Sequence, residues 1–560
     1  MRISALSNLS YRYRLIFYST WLALGFFQAA FTGALPDEAY YFMYSRELAW
    51  GYFDHPPAVA LLIKMGTSIF GGELGLRFFS VLMSGLSIFL LERVVEPVRL
   101  GLFYVFISSV AILHFIGFLS IPDSPLMLFT IAFFWLYKKY LNKPSILLAI
   151  SLGLCSGLMM LSKYHAVLVI GFTVLSNLQL LRKRNFWIAV LVFLITISPH
   201  IYWQFENEFI SFKYQLIDRA GDPYKFRYTA EYVGTLPFIL GPIVSLIMLI
   251  GSAILPSKDK FEKALKFCFW GVYIFFFFSS FNGWVEGHWI LITLTPGVYF
   301  GYKLAATRAV YERIVKVQFW PILFLILTAR FIVAFDVLPD SPVFHELKKN
   351  YHGKEKWASK IQEKTGDKPV VFLDSYKDPS MYTFQTGIES TSFNTIYTRK
   401  NQFTIWNYEE DFRNRKVAVI PSYIKDLDDS VQTPLRRYDF DFIEEYNPIT
   451  NIWLEPLNFP IEAFAGDTLQ VTFKLEKRGI VDFEKDPEYP CQLIYIFYDQ
   501  SKRVSRIYSE FEIKNSMLNS TFTLPIIIPN YEGEVRFKAG VQPGWIAPGY
   551  HSDWQKIRIE

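Results

Sequence analysis

The residues best suited to chemistry lie just after the first long apolar run. Pro36-Asp37-Glu38 brings two carboxylates together, and His55 follows in Gly51-Tyr-Phe-Asp-His-Pro-Pro57. Acidic groups beside a bilayer are costly unless they are solvated, paired or used. Because consecutive side chains point in different directions, one carboxylate at most faces a reacting group while the other orients a neighbour. The pattern favours a single general base, and a helix cap is the structural alternative.

Further ionisable residues lie in later connections between apolar runs. Asp123 stands in Ser120-Ile-Pro-Asp-Ser-Pro125, where a tight turn is the structural alternative. The cations that we assign to the same membrane face are His55, Arg77, Lys163, Arg219 and His288. Cations beside a carboxylate suit sugar transfer from a lipid-linked phosphate, because the base activates the acceptor and the cations stabilise the departing phosphate. For Arg77 and Lys163, snorkelling to lipid head groups is the alternative.

The elements that must position these residues are long apolar runs. The 560-residue chain is 52% hydrophobic and 18% aromatic, with 19% charged residues, against about 25% in an average soluble domain. A helix needs about 20 apolar residues to cross a bilayer. This criterion predicts about eleven crossings, near residues 15–32, 74–92, 100–119, 124–141, 145–161, 165–181, 186–203, 233–255, 265–281, 288–304 and 317–335.

The placement of basic residues predicts the orientation of these crossings. Lysine and arginine concentrate in every second connection, as expected of cytoplasmic loops. The connections near 33–73, 203–232 and 282–287 then face the opposite side, together with the chain after residue 335. Because the positive charge lies between apolar runs rather than along one face, nucleic acid is not expected as a partner. We expect an integral membrane protein, in a bacterial inner membrane, with a periplasmic C-terminal region.

Composition and periodicity predict three domains. Residues 1–335 form a transmembrane domain, residues 336–451 show an α/β pattern, and residues 452–560 show the alternation of a β-sandwich. The predicted elements of the last two domains are a helix at 354–364 and strands at 368–373, 416–420, 468–475, 491–498 and 533–540. The three cysteines show no metal-ligand spacing and no obvious pairing, so no disulfide framework is predicted.

Taken in order, these motifs resemble those of the family 39 type membrane glycosyltransferases. The matching segments are Asp37-Glu-Ala-Tyr-Tyr41, Gly51-Tyr-Phe-Asp-His-Pro-Pro57, Gly75-Leu-Arg77, Pro122-Asp-Ser-Pro125, Ser162-Lys-Tyr164 and His288-Trp289. That family has the C-type fold and includes protein O-mannosyltransferases and the aminoarabinose transferase of lipid A. The resemblance implies inverting transfer of a sugar from a polyprenyl-phosphate donor to a protein hydroxyl, lipid A or a glycan, at the extracytoplasmic face.

The resemblance also implies roles for individual residues. Asp37 corresponds to the general base and Glu38 to its support. The donor phosphate is expected at His55, Arg77, Lys163, Arg219 and His288, and the substrates at Tyr40, Tyr41, Asp123 and Glu286. Asp54 replaces a carboxylate that can bind metal in the lipid A branch, which makes it the candidate ligand for a possible divalent metal. Asp218 stands where relatives often carry histidine, so a carboxylate-histidine pair is not visible.

Two other functions are compatible with the same residues. A transporter of lipid-linked sugars would use the charges to guide a head group across the bilayer, which requires polar residues at mid-membrane depth. The apolar runs contain few such residues, and the selected charges cluster at helix ends, which favours a fixed outer site. The third possibility is a membrane-tethered scaffold that binds sugar through its β-rich tail.

Overall fold

The computed structural model describes residues 2–218, 224–421, 427–486, 490–499 and 502–560. These residues form two compact units, Met1–His352 and Gly353–Glu560. The first unit is helical, and the second contains the β-sheets. The predicted boundary at residue 335 lies earlier than the unit boundary, because the helix at His345–Tyr351 belongs to the first unit. His352 Nε2 there hydrogen-bonds the Ile332 carbonyl oxygen at 3.0 Å.

The first unit contains seventeen α-helices among its described residues. They are α1 (Arg2–Phe31), α2 (Pro36–Arg46), α3 (Ala58–Thr67), α4 (Gly72–Val95), α5 (Leu100–Ser108), α6 (Ala111–Ile116), α7 (Asp123–Asn142), α8 (Ile146–Ser162), α9 (Ala166–Ser176), α10 (Arg184–Glu206), α11 (Ile210–Lys213), α12 (Phe226–Ile239), α13 (Val244–Ile254), α14 (Lys260–Ser279), α15 (Leu294–Thr307), α16 (Ala309–Ala334) and α17 (His345–Tyr351). Two 3-10 turns, Leu178–Arg182 and Gly287–Thr293, and a π-helical turn, Tyr214–Asp218, complete the unit.

The predicted apolar runs coincide with helices, but fewer of these helices have the length and composition of a full crossing. By those two criteria, α4, α10 and α16 are long and apolar enough to cross a membrane. The number rises to five if two bent pairs are each one span: α1 with α2, bent by 88°, and α12 with α13, bent by 97°. The other described helices are shorter or less apolar. The run at 100–119, for example, is broken between α5 and α6.

Close helix packing in the first unit depends on small residues. A Cβ at Gly153 of α8 would lie 2.4 Å from the Ala189 carbonyl oxygen of α10, and a Cβ at Gly157 would lie 2.5 Å from the Thr196 side chain. The two glycines are four residues apart and therefore share one face of α8. Their small size lets the backbones of α8 and α10 approach closely, as is common between helices in membranes.

Polar contacts gather the basic connections at one end of the first unit, here called the basic end. These contacts join Arg99 to Ala306, Lys138 to Glu96 and Lys260 to Gln179. Helix α7 runs away from this end, and its 20 residues span about 30 Å at 1.5 Å per residue. The opposite end of α7, which begins at Asp123, is called the site end.

The first sheet of the second unit has the predicted α/β character. Its strand order is β2-β1-β3-β5-β4, with β1 parallel to both β2 and β3 and with β5 antiparallel to β3 and β4. The strands are β1 (Val370–Leu373), β2 (Ser390–Phe393), β3 (Val417–Ile420), β4 (Asp429–Gln432) and β5 (Arg437–Ile443). The helices of this region are α18 (Lys354–Thr365), α19 (Lys377–Thr386) and α20 (Gln402–Trp406).

The rest of the second unit consists of two further sheets. One has five strands in the order β10-β9-β12-β13-β7, and the other has three in the order β11-β8-β6. The strands are β6 (Ile452–Pro456), β7 (Glu462–Ala463), β8 (Thr468–Lys477), β9 (Cys491–Asp499), β10 (Lys502–Glu512), β11 (Ser520–Ile527), β12 (Gly533–Pro543) and β13 (Gln555–Ile559). Alternate residues of β8, such as Val471 and Phe473, are buried with Phe537 of β12 in a core shared by the two sheets.

The α/β region and the two further sheets pack as one unit. Ile546 and Ala547, near the C-terminus, lie in the same hydrophobic cluster as Val371 and Leu373 of the first sheet. The three cysteines of the chain are buried and have free thiols.

A buried carboxyl group lies in the α/β region. Glu409 is 4% exposed, and its Oε2 accepts hydrogen bonds from the hydroxyls of Tyr446 at 3.2 Å and Thr450 at 3.4 Å. Burial raises the pKa of Glu409 from its ordinary 4.5 to about 8, and the two hydrogen bonds offset only part of this effect. The folded protein therefore holds a proton here at pH values where the unfolded chain has lost it.

We expect Glu409→Gln to remove one pH-dependent contribution to stability. Between about pH 4.5 and pH 8 the folded state binds more protons at Glu409 than the unfolded state does, so this contribution falls as pH rises. Its slope is at most about 1.4 kcal/mol per pH unit. Thermal melts of the full-length protein in detergent should show that the melting temperature of the variant rises relative to that of the wild type from pH 5 to pH 8. The exposed Glu455→Gln is the matched control, and a pH-independent difference for Glu409→Gln would contradict the expectation.

Candidate active site

Helix α2 separates its two adjacent carboxylates. The helix begins at Pro36, a residue whose fixed φ suits the first helical position. The Glu38 carboxylate turns back and accepts a hydrogen bond from the Leu35 backbone N–H at 3.0 Å. Glu38 is fully buried, whereas Asp37 is exposed. The helix-cap interpretation therefore applies to Glu38, and Asp37 is the carboxylate that faces outward.

Glu38 forms a buried ion pair with Arg77 of α4. Both side chains are 0% exposed, and Arg77 Nε donates to Glu38 Oε1 at 2.8 Å while Nη2 donates to Oε2. The other N–H groups of Arg77 donate to the carbonyl oxygens of Ala29, Thr32 and Gly33. All five donors of the guanidinium are thus used. This geometry leaves no N–H group of Arg77 for a donor phosphate, and it turns the Glu38 carboxylate towards Arg77 in the interior.

The same ion pair holds the turn that leads to Asp123. Glu38 Oε1 also accepts from the Ser120 backbone N–H at 2.8 Å. The Ser120 hydroxyl donates to the Leu76 carbonyl at 2.6 Å and lies 2.9 Å from the Ser80 hydroxyl. Three segments, at the starts of α2, α4 and α7, are therefore joined around one carboxylate. Asp37 and Asp123 consequently lie on elements that Glu38 connects directly.

A second ionic cluster lies at the start of α7. Asp123 Oδ2 is 2.6 Å from Lys163 Nζ and 3.7 Å from His288 Nε2. The side chains of Asp123 and Lys163 are 4% and 6% exposed, whereas that of His288 is 38% exposed. Lys163 follows the last residue of α8, and His288 lies in the 3-10 turn Gly287–Thr293. The His288 imidazole is therefore the more accessible basic group of this cluster, with Lys163 behind it.

The loop that carries Asp54 is held by aromatic and polar contacts. The rings of Tyr44 and Tyr52 stack at 4.0 Å, and the Tyr44 hydroxyl donates to Asp54 Oδ1 at 2.5 Å. Gln215 Nε2 donates to the Asp54 carbonyl at 2.9 Å. Among the described residues, no group of three or more His, Cys, Asp or Glu side chains is placed to hold a metal ion. The described residues therefore do not support the metal expectation at Asp54.

A buried polar network fixes this loop to α10 and α11. It runs from the Trp50 carbonyl through His200 and the Tyr164 hydroxyl to Gln204, and then through Ser211 to the Tyr52 carbonyl. Gln204 and Ser211 are 0% exposed and were not predicted as site residues. Their signal in the sequence is a polar side chain on or just after an apolar helix. Buried hydrogen-bond networks of this kind favour one arrangement of the backbone.

The remaining predicted residues occupy varied positions. Tyr40 and Tyr41 are buried and pack on Tyr44 with ring centroids at 4.7 Å and 5.6 Å. Half-buried His55 lies edge-on to Tyr41, with centroids 5.5 Å apart. Half-buried Glu286 precedes the turn that carries His288. Arg219 lies outside the described residues.

Three comparisons with known proteins agree with this architecture. The family model described as dolichyl-phosphate-mannose-protein mannosyltransferase matches residues 54–203. The lipid A galacturonosyltransferase RgtD of Rhizobium johnstonii is 26% identical over 247 residues, which cover 41% of this chain and 51% of that protein. The matched part thus spans about half the length of this relative.

Solved structures extend the likeness over most of the chain. The crystal structure of ArnT from Cupriavidus metallidurans in the apo state has a TM-score of 0.53 at 13% identity, covering 77% of this chain and 98% of that one. The same protein bound to undecaprenyl phosphate has a TM-score of 0.51 at 14% identity, covering 76% and 97%. The comparisons confirm the resemblance inferred from the sequence, and the chain has the C-type glycosyltransferase fold of ArnT, with a helical N-terminal region and a sheet-rich C-terminal region.

Proposed function

We propose that this chain is a membrane glycosyltransferase that moves a sugar from a polyprenyl-phosphate donor to an acceptor. One observation carries the proposal: Asp37 is exposed beside the fully buried pair of Glu38 and Arg77, which leaves a single outward-facing carboxylate in α2. A general base must be ionised and accessible to the acceptor. The relatives that share the fold or sequence, ArnT and RgtD, support the choice of sugar transfer.

The proposed reaction is an inverting displacement. The Asp37 carboxylate takes the proton of an acceptor hydroxyl as its oxygen forms a bond to the anomeric carbon of the sugar. The bond between that carbon and the phosphate oxygen breaks, and polyprenyl phosphate leaves with the electron pair. A positive group beside the departing oxygen stabilises the charge that develops there. Buried Lys163 supplies positive charge behind His288, and the accessible imidazoles of His288 and His55 are the candidates to hydrogen-bond this oxygen.

The chain is placed in a membrane in this proposal, with the site end at the extracytoplasmic face. The basic connections lie together at the other end, which is the arrangement expected of cytoplasmic loops. Helices that could span a membrane support an integral membrane protein. We further propose a bacterial inner membrane and a periplasmic second unit that helps to select the acceptor.

Replacing Asp37 tests the base directly. Asp37→Asn should lower sugar transfer about 10²- to 10⁴-fold, the usual contribution of a general base, without loss of folding because the side chain is exposed. The measurement is release of polyprenyl phosphate in detergent from a panel of undecaprenyl-phosphate-linked sugars, once a productive acceptor extract is found. Turnover that requires a sealed compartment would instead indicate a transporter.

The control for this substitution lies directly after the same helix. Glu47→Gln removes an exposed carboxylate from the position that follows α2 and should leave both turnover and thermal stability unchanged. Glu38→Gln should instead destabilise the protein by about 3–5 kcal/mol, because Arg77 would lose its counter-ion while buried. If Asp37→Asn kept full turnover, Asp37 would not be the general base.

The accessible imidazole of His288 gives an independent test. His288→Gln should raise the KM for the lipid-linked donor by about 10- to 100-fold, the range for losing a hydrogen bond to a charged group. Because the histidine is 38% exposed, the melting temperature should change little. His345→Gln replaces an exposed histidine of α17 and serves as the control. An unchanged KM for His288→Gln would contradict phosphate contact by His288.

A further inference from the structure

A cavity lies at the basic end, on the opposite side of the helical unit from Asp37. Its volume is about 680 Å³. Four parts of the chain surround it: the connection between α7 and α8, the connection between α9 and α10, the start of α14, and Tyr299 of α15. Lys138 of α7 lines the cavity and lies about 22 Å along the helix from Asp123, so the cavity is distinct from the proposed active site.

The cavity is strongly cationic. Its walls contain the side chains of Lys138, Lys183, Arg184 and Lys260, against a single carboxylate, Asp259. The Asp259 carboxylate already caps α14 by accepting from the Glu262 N–H at 2.8 Å. Lys138 is paired with Glu96 at 2.9 Å, which leaves a positive excess on the other three cations. An anion is the ligand that such a wall would attract.

Backbone and amide groups add hydrogen-bond donors to the same wall. Helices α10 and α14 both begin at this cavity, and the N-terminus of a helix carries a partial positive charge. The side-chain amides that line it are those of Asn142, Asn177, Gln179 and Asn185. Of these, Asn177 Nδ2 also donates to the Tyr137 hydroxyl at 3.4 Å, and Gln179 Oε1 accepts from Lys260 Nζ at 2.8 Å. Lysine and arginine together with amide donors match the several acceptor oxygens of a phosphoryl group.

The surroundings of the cavity are apolar and exposed. Leu178 and Leu181, which flank the lining residues Gln179 and Leu180, are 57% and 42% exposed, and Trp187 is 57% exposed. Leu141, Leu180 and Phe261 form an apolar part of the cavity wall itself. An exposed apolar rim of this kind suits acyl chains, and tryptophan is enriched at the membrane interface. A free phosphate would make no use of this rim.

We propose that this cavity binds the phosphoryl head group of an anionic membrane lipid. Lys183 and Lys260 contact the phosphate from opposite walls, and the acyl chains lie along Leu178, Leu181 and Trp187. Basic pockets between membrane helices on the cytoplasmic side bind anionic head groups by the same chemistry. The lipid would tie together the connections beside α7, α10 and α14. This binding is independent of sugar transfer and depends only on the membrane location of the helical unit.

The test uses the full-length protein in nanodiscs of phosphatidylcholine containing a minor fraction of phosphatidylglycerol. Native mass spectrometry counts the phosphatidylglycerol molecules that remain bound after release from the nanodisc. Two variants with the same loss of charge are compared, Lys183→Gln/Lys260→Gln within the cavity and Lys263→Gln/Arg313→Gln, whose residues do not line it. Thermal melts of each variant confirm that it is folded.

The expected result is retention of phosphatidylglycerol by the wild type and the control variant, with about 25-fold weaker binding to Lys183→Gln/Lys260→Gln. This figure corresponds to roughly fivefold for each lysine near an anionic head group. Equal retention by both double variants would overturn the proposal. A separate arm adds inorganic phosphate at millimolar concentration, and displacement of the lipid by phosphate alone would overturn the lipid assignment in favour of a free anion.

Discussion

The buried ion pair between Glu38 and Arg77 is the interaction on which the site end depends. One carboxylate accepts hydrogen bonds from Leu35, Arg77 and Ser120, and so joins the starts of α2, α4 and α7. A buried charge is tolerated only when it is paired and its hydrogen bonds are satisfied. Because every donor of Arg77 is used, neither group can move alone. The position of Asp37 follows from this constraint, because Asp37 immediately precedes Glu38 in the first turn of α2.

The membrane imposes a second constraint, which separates the charged groups into two sets. Uncompensated charge at mid-bilayer depth is expensive, and buried ion pairs are found near both ends of α7. At the site end the cluster contains Asp123, Lys163 and His288. At the basic end Lys303 and Tyr299 bond to Glu262, close to the cationic cavity. We propose sugar transfer at the first of these ends and binding of an anionic lipid at the second.

The loop between Trp50 and Asp54 is held in place by hydrogen bonds from α10 and from the segment that follows it. Its backbone carbonyls are bonded by His200, Ser211 and Gln215, which come from α10 and the segment that follows it. Gly51 lies against Trp203, where a Cβ would be 2.3 Å from the ring. A larger residue at this position would displace the loop from α10. The motif Gly-Tyr-Phe-Asp-His-Pro-Pro is thus explained largely by packing.

Periodicity and composition by themselves determined the class of protein and many local elements. The predicted helix at 354–364 is observed as α18, and the strands predicted at 468–475 and 533–540 are observed as β8 and β12, because their patterns are local. The adjacency of Asp37 and Glu38 also predicts that their side chains point in different directions. Only the tertiary structure decided which of the two is buried, because Arg77 lies 39 residues away. It likewise decided where apolar runs break and that Asp54 bonds to Tyr44, since these depend on partners that are distant in the chain.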